Sequence, residues 1–90
     1  MYFKKLYIRG GYKVIFEKLK SLINRIMDIP KDEILLESHL YDELDADSLD
    51  ISQIILALEN TYKIDIENDD IASFQVVEDI VNHVESKIEG

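Results

Sequence analysis

Apolar residues recur at intervals of three and four along most of this chain, the spacing of one face of a helix. From about Gly11 to Met27, Phe16, Leu19, Ile23 and Ile26 keep that interval, with Ile15 and Leu22 beside them. Asp28 and Pro30 mark the end, because proline cannot donate the amide bond a helix needs. A second helix is predicted from about Ser48 to Tyr62. At about 100° per residue, Ile51, Ile54, Ile55, Leu58 and Tyr62 fall within one arc and form its core face. Leu49 and Leu56 fall together on another face, with Ser48, Ser52, Gln53 and Glu59 nearby. Asp47 suits the N-cap, since its carboxylate can accept from the free amides of the first turn. A short helical turn is predicted near Asn68–Ala72. A closing helix is predicted from about Phe74 to Lys87, with Ser73 as N-cap and Phe74, Val77, Ile80, Val81, Val84 and Ile88 facing inward. The alternation in Tyr62-Lys63-Ile64-Asp65-Ile66 is too short to build a sheet. The pattern predicts an all-α fold: a small bundle of three main helices plus one short helix.

Two segments fall outside that pattern. Residues 28–47 read as a long connection, with Leu35, Leu36, Leu40, Tyr41 and Leu44 pinning it to the core. A connection this long in a small domain is usually functional or disordered, and its apolar content argues against disorder. Residues 1–11 read as a separate basic N-terminal segment preceding a domain of residues 12–90. Tyr2, Phe3, Leu6 and Tyr7 are spaced for one helical face, but Gly10-Gly11 is expected to break a continuous helix. The favoured reading is a frayed or disordered terminus. A basic contact with the acidic body, a partner or a membrane surface is the alternative.

Charge narrows the partners. The net charge is −9. Residues 1–25 hold seven basic side chains and one acid; residues 26–90 hold three basic side chains and eighteen acids. An acidic body repels nucleic acid and favours partners with basic docking faces. Lys4, Lys5, Arg9 and Lys13 interrupt the leading apolar residues, so no signal peptide is expected. No run is long enough for stable membrane insertion. The expected location is the cytoplasm and the expected state a monomer. With no cysteine, the chain has no thiol nucleophile and no disulfide framework.

Few residue patterns offer chemistry. Asp45, Asp47 and Asp50 begin like a calcium loop, but Asp50 occupies the glycine position and Leu56 the final glutamate position. His39 has no cysteine or second histidine at ligand spacing, His83 is expected to point away from the stripe of the closing helix, and a surface or packing role is expected for each. A serine hydrolase lacks its glycine-flanked elbow, and Gly10-Gly11 is not a phosphate loop. Ser48 remains. It opens a helix, where free amides favour an attached phosphate, and it adjoins the outward Leu49 and Leu56. No general base waits nearby, so a reaction at this hydroxyl falls to another protein.

Asp47-Ser48-Leu49-Asp50, preceded by Glu43-Leu44 and followed by Leu56-Ala57-Leu58-Glu59, resembles the acyl carrier protein family. The likeness extends over about residues 14–88. It implies that Ser48 carries 4′-phosphopantetheine, attached from coenzyme A by a phosphopantetheinyl transferase. It implies an arm whose thiol holds acyl groups as thioesters. Asp47, Leu49, Asp50, Leu56 and Glu59 match positions that meet partners, namely the transferase and acyl-transfer, condensing and reducing enzymes with basic docking patches. Ile71 matches an apolar position bordering the acyl chain.

The departures are specific. Asp45 stands where the family usually has glycine, and Leu56 where methionine is common. Ser52 and Gln53 stand where apolar and acidic residues are frequent. The third-helix region is about two residues shorter, and the basic leading segment is unusual. The resemblance therefore implies a non-catalytic carrier, most commonly of fatty acid synthesis. A specialised carrier for polyketide, aminoacyl or lipid-modifying chemistry is the rival within the class. An acidic helical interaction module without a prosthetic group is the rival outside it, and an enzyme comes third.

Overall fold

A computed structural model describes residues 2–89, with side chains described for residues 11–88. Its order is α1 (Tyr2–Met27), a single 3₁₀ turn (Lys31–Glu33), α2 (Ser48–Tyr62), α3 (Asn68–Ser73) and α4 (Val77–Glu89). No strand occurs among the described residues; His39 and Val76 form one isolated antiparallel bridge. The all-α bundle expected from periodicity is the observed fold.

Each main helix contributes one apolar face to a single core. Ile15, Leu19, Leu22 and Ile23 supply α1; Ile51, Ile54, Ile55 and Leu58 supply α2; Val77, Ile80, Val81 and Val84 supply α4. Leu19, Ile23, Ile54, Leu58, Ile80, Val81 and Val84 are wholly enclosed. Burying a side chain of this size contributes about 1.5–3 kcal/mol, so α1, packed against both α2 and α4, is the spine of the bundle. Tyr12 adds a polar tie between α1 and α4, its hydroxyl donating to Glu78 Oε2 at 3.3 Å. Burial, and then the Glu78 charge, hold this phenol above its ordinary range.

Several expectations need correction. The helix does not break at Gly10-Gly11 but runs through both, from Tyr2 onward. A Cβ at Gly11 would meet nothing within 4 Å, so this glycine answers no crowding. The suggested apolar face of Tyr2, Phe3, Leu6 and Tyr7 lies outside the described side chains. The closing helix begins at Val77 rather than Phe74, and Ser73 does not cap it. Ser73 ends α3, its hydroxyl donating to the Asp70 carbonyl at 2.7 Å. The start of α4 is held instead by Asp79, whose Oδ2 accepts from the amides of Gln75 at 2.8 Å and Val76 at 3.0 Å. A carboxylate three residues inside a helix can capture these orphan donors as well as a preceding serine can. Ile88, expected to face inward, is exposed.

The connection between α1 and α2 is strapped down by backbone bonds that no periodicity announces. Leu40 N–H donates to Gln75 at 2.8 Å, Val77 N–H to Ser38 at 3.0 Å and Glu78 N–H to Leu36 at 2.9 Å. Ile34, Leu40, Leu44 and Ala46 are its buried anchors. Leu35 and Tyr41, expected to pin it, are exposed, and Leu36 is half-buried. Side chains complete the fastening. Ser38 Oγ is buried and accepts from Leu35 N–H at 2.9 Å. Glu43 Oε1 accepts from His39 N–H at 2.8 Å. His39 Nδ1 accepts from Asp42 N–H at 3.1 Å, which gives that ring a structural role. The connection thus delivers its last residues to α2 in a fixed position.

Candidate functional site

Asp45 is where the connection turns toward α2. Its φ is 61°, in the left-handed region that glycine fills most readily. Aspartate is among the few other residues that tolerate it, because a short polar side chain can satisfy local bonds. The next residue, Ala46, is buried and its N–H donates to the Leu40 carbonyl at 2.9 Å, locking the turn. Replacing Asp45 by glycine is expected to leave stability within about 1 kcal/mol, with strain relief offset by the freer unfolded chain. Asp45→Val, β-branched at positive φ, is expected to cost about 1–2 kcal/mol and lower the melting temperature by roughly 4–8 °C per kcal/mol. Thermal denaturation of the two variants checks the contrast.

Asp47 is the N-cap of α2, and the cap is reciprocal. Asp50 N–H donates to Asp47 Oδ1 at 2.9 Å, and Asp47 N–H donates to Asp50 Oδ2 at 3.2 Å. The result is a capping box built from two aspartates rather than the usual serine and glutamate. Sequence reading identified Asp47 as the cap but missed the answering role of Asp50. The signal was present in the three-residue spacing of the pair.

Ser48 follows the cap directly and is exposed. Because Asp47 and Asp50 do the capping, the Ser48 hydroxyl is free of that duty. The amides of Ser48 and Leu49 lie in the first turn, where a helix has no internal acceptor for them. The hydroxyl therefore stands at the positive end of a 15-residue helix, in a stretch of chain that also carries Asp45, Asp47 and Asp50. A phosphodiester formed there would gain about 0.3–1 kcal/mol from the helix dipole, set against repulsion from those acids in high dielectric. An exposed, uncommitted hydroxyl beside free amides fits the attachment of a phosphate-linked arm.

The remaining predicted residues separate into groups. Leu49 and Leu56 are 63 % and 58 % exposed, together on the outer face of α2 with exposed Ser52 and Gln53. Glu59 is half-buried, and its Oε2 accepts from Ile66 N–H at 2.8 Å, fastening the segment after α2. That commitment leaves Glu59 less available than the exposed residues nearer Ser48. Lys63, at φ 57°, ends α2 with its N–H on the Glu59 carbonyl. Ile71 lies on α3, half-buried against the core. Leu56→Asp is expected to keep the far-ultraviolet helix signal and shift stability by less than about 1 kcal/mol, since only helix propensity and exposed surface change. Unfolding of this variant would show that Leu56 supports the core after all.

The family model for the phosphopantetheine attachment site matches residues 17–84. Bundle and site together define a carrier domain of the phosphopantetheine-bearing class. Acyl carrier proteins resemble the chain over most of its length. That of Clostridium perfringens is 40 % identical over 70 residues, covering 78 % of this chain and 92 % of its own. That of Clostridium acetobutylicum is 37 % identical over 76 residues, covering 84 % and 99 %. That of Petrotoga mobilis is 32 % identical over 74 residues, covering 82 % and 87 %. The chain belongs to the acyl carrier protein family. Members are non-catalytic carriers with 4′-phosphopantetheine as prosthetic group. They are served by a phosphopantetheinyl transferase and by acyl-handling enzymes.

Proposed function

We propose that residues 12–90 form a carrier domain whose Ser48 bears the phosphopantetheine arm. The observation carrying this reading is the exposed Ser48 hydroxyl at the start of α2, released from capping by the Asp47–Asp50 pair. When bound, the group supplies a flexible terminal thiol that holds an acyl chain as a thioester. The chain itself supplies the rest. The strapped connection fixes where Ser48 stands, and the first-turn amides favour the anionic linkage. Asp47 and Asp50 present negative charge to a basic enzyme surface, and Leu49 and Leu56 offer apolar contact beside it. Glu59 lies on the same helix, toward its far end. Ile71 on α3, half-buried against the core, would border an acyl chain.

The pathway proposed is fatty acid biosynthesis in the cytoplasm, with the chain acting as a monomer. Its partners there are the transferase and the acyl-transfer, condensing and reducing enzymes. The similarity to acyl carrier proteins supports that reading. Ser52 and Gln53 on the outer face of α2 favour examining a specialised pathway as the second reading, because they change what a partner meets. No helix among the described residues is long and apolar enough to cross a membrane.

Two measurements test the proposal. Incubation with coenzyme A, magnesium and a broad-specificity transferase should raise the intact mass by one phosphopantetheine. An unchanged mass on folded protein rejects the carrier reading in favour of an interaction module. Identification of the group loaded in cells tests the pathway. Straight-chain acyl groups are expected, and finding only an amino acid would overturn the fatty-acid assignment.

A further inference from the structure

We propose that His83 and Asp70 form a pH-sensitive clasp fastening α3 to α4, tighter when the imidazole is protonated. Nε2 of His83 lies 3.6 Å from Oδ2 of Asp70, just beyond hydrogen-bond range. The same nitrogen is buried and has no hydrogen-bond partner. The ring is held in place by Phe74, whose ring meets it edge-on with centroids 5.4 Å apart. A buried, unpartnered nitrogen facing a carboxylate from another helix is a contact waiting on a proton.

The contact bears on α3 because α3 has little else to hold it. It is six residues long and contains no buried residue. A helix of that length does not persist in water without tertiary support. Ile71, half-buried, is its apolar contact with the core.

Protonation changes the clasp in a definite sense. A neutral ring presents either a lone pair, which the carboxylate repels, or an uncharged N–H. The imidazolium always presents N–H with a positive charge, and a charge-assisted bond is roughly twice as strong as a neutral one. Imidazoles commonly change charge between about pH 5 and 8. The other groups around the ring line a surface depression of about 350 Å³: Ser73, Phe74, Asp79, Asn82 and Ser86. Asp79, at the start of α4, is the other charged group among them and also favours the cation. Its Oδ2 is already engaged by the Gln75 and Val76 amides. Lys87, one turn further along α4, opposes the cation but is exposed. No side chain of α1 or α2 lines the depression among the described residues.

The clasp stands apart from the carrier reading, so its test uses the unmodified chain. Amide hydrogen exchange at residues 71–74 is measured by NMR from pH 5.5 to 8 and corrected for intrinsic exchange rates. Protection of these amides should fall about threefold to tenfold as pH rises across that range. The fall should vanish in Asp70→Asn and in His83→Phe, each first shown to be folded by circular dichroism. It should persist in His39→Gln, which removes the other histidine. Protection independent of pH in the wild type would overturn the clasp. So would an unchanged fall in Asp70→Asn, or a fall abolished only by His39→Gln.

Discussion

Leu58→Asp is expected to unfold the protein at room temperature. Leu58 is wholly enclosed at the centre of the α2 core face, among residues contributed to one cluster by all three main helices. The substitution removes about 1.5–3 kcal/mol of apolar burial. It also places a carboxylate inside an apolar cluster, which costs several kcal/mol or forces uptake of a proton. A domain of this size has on the order of 5–10 kcal/mol in total. Circular dichroism should show loss of the cooperative thermal transition. Leu58→Ala, at about 2–5 kcal/mol, should leave a weakened but folded protein. The contrast with Leu56→Asp, two residues away on the exposed face, isolates burial from charge.

Ser48→Ala is expected to abolish modification while leaving the fold intact. The Ser48 side chain is exposed and the cap is made by its neighbours, so its removal should change stability by less than about 0.5 kcal/mol. In the proposed carrier reading, the hydroxyl is the nucleophile that attacks the β-phosphorus of coenzyme A, and adenosine 3′,5′-bisphosphate leaves. Treatment with transferase should give no added mass, against complete conversion of the wild type. Asp47→Ala is the informative companion. It breaks the capping box and should cost about 1 kcal/mol, slowing modification without abolishing it.

The main helices were legible because each buries one face, and burial writes itself into the spacing of apolar residues. Ser48–Tyr62 was read to its ends, since Asp47 announces the start and the core stripe runs out at Tyr62. The start of α4 was misplaced for a physical reason. Phe74 is buried and fits the inward stripe, yet it belongs to an extended stretch that passes along the α1–α2 connection. Periodicity records which residues are buried, not whether the backbone there is helical. The strapping of that connection was invisible because it runs through main-chain groups, which every residue possesses. Gly10-Gly11 misled in the other direction: two glycines lower helix propensity without forbidding a helix.

The site was legible where it depends on local chemistry. A serine after an aspartate cap, and two leucines off the core stripe, are features of a few adjacent residues. The left-handed turn at Asp45 could be anticipated from the residue that usually stands there. What could not be read was commitment. Nothing in the sequence distinguishes Glu59, which is tied to Ile66 N–H, from an acid free to meet a partner. Nor does the pattern bring His83 to Asp70, thirteen residues apart and on different helices.

The central claim is that the arm joins Ser48. Peptide mapping by mass spectrometry after treatment with coenzyme A and transferase tests it most directly. The phosphopantetheine should appear on the peptide containing Ser48 and on no other. Its localisation by fragment ions to Ser21, Ser38, Ser52, Ser73 or Ser86, or its absence from folded protein, would contradict the account.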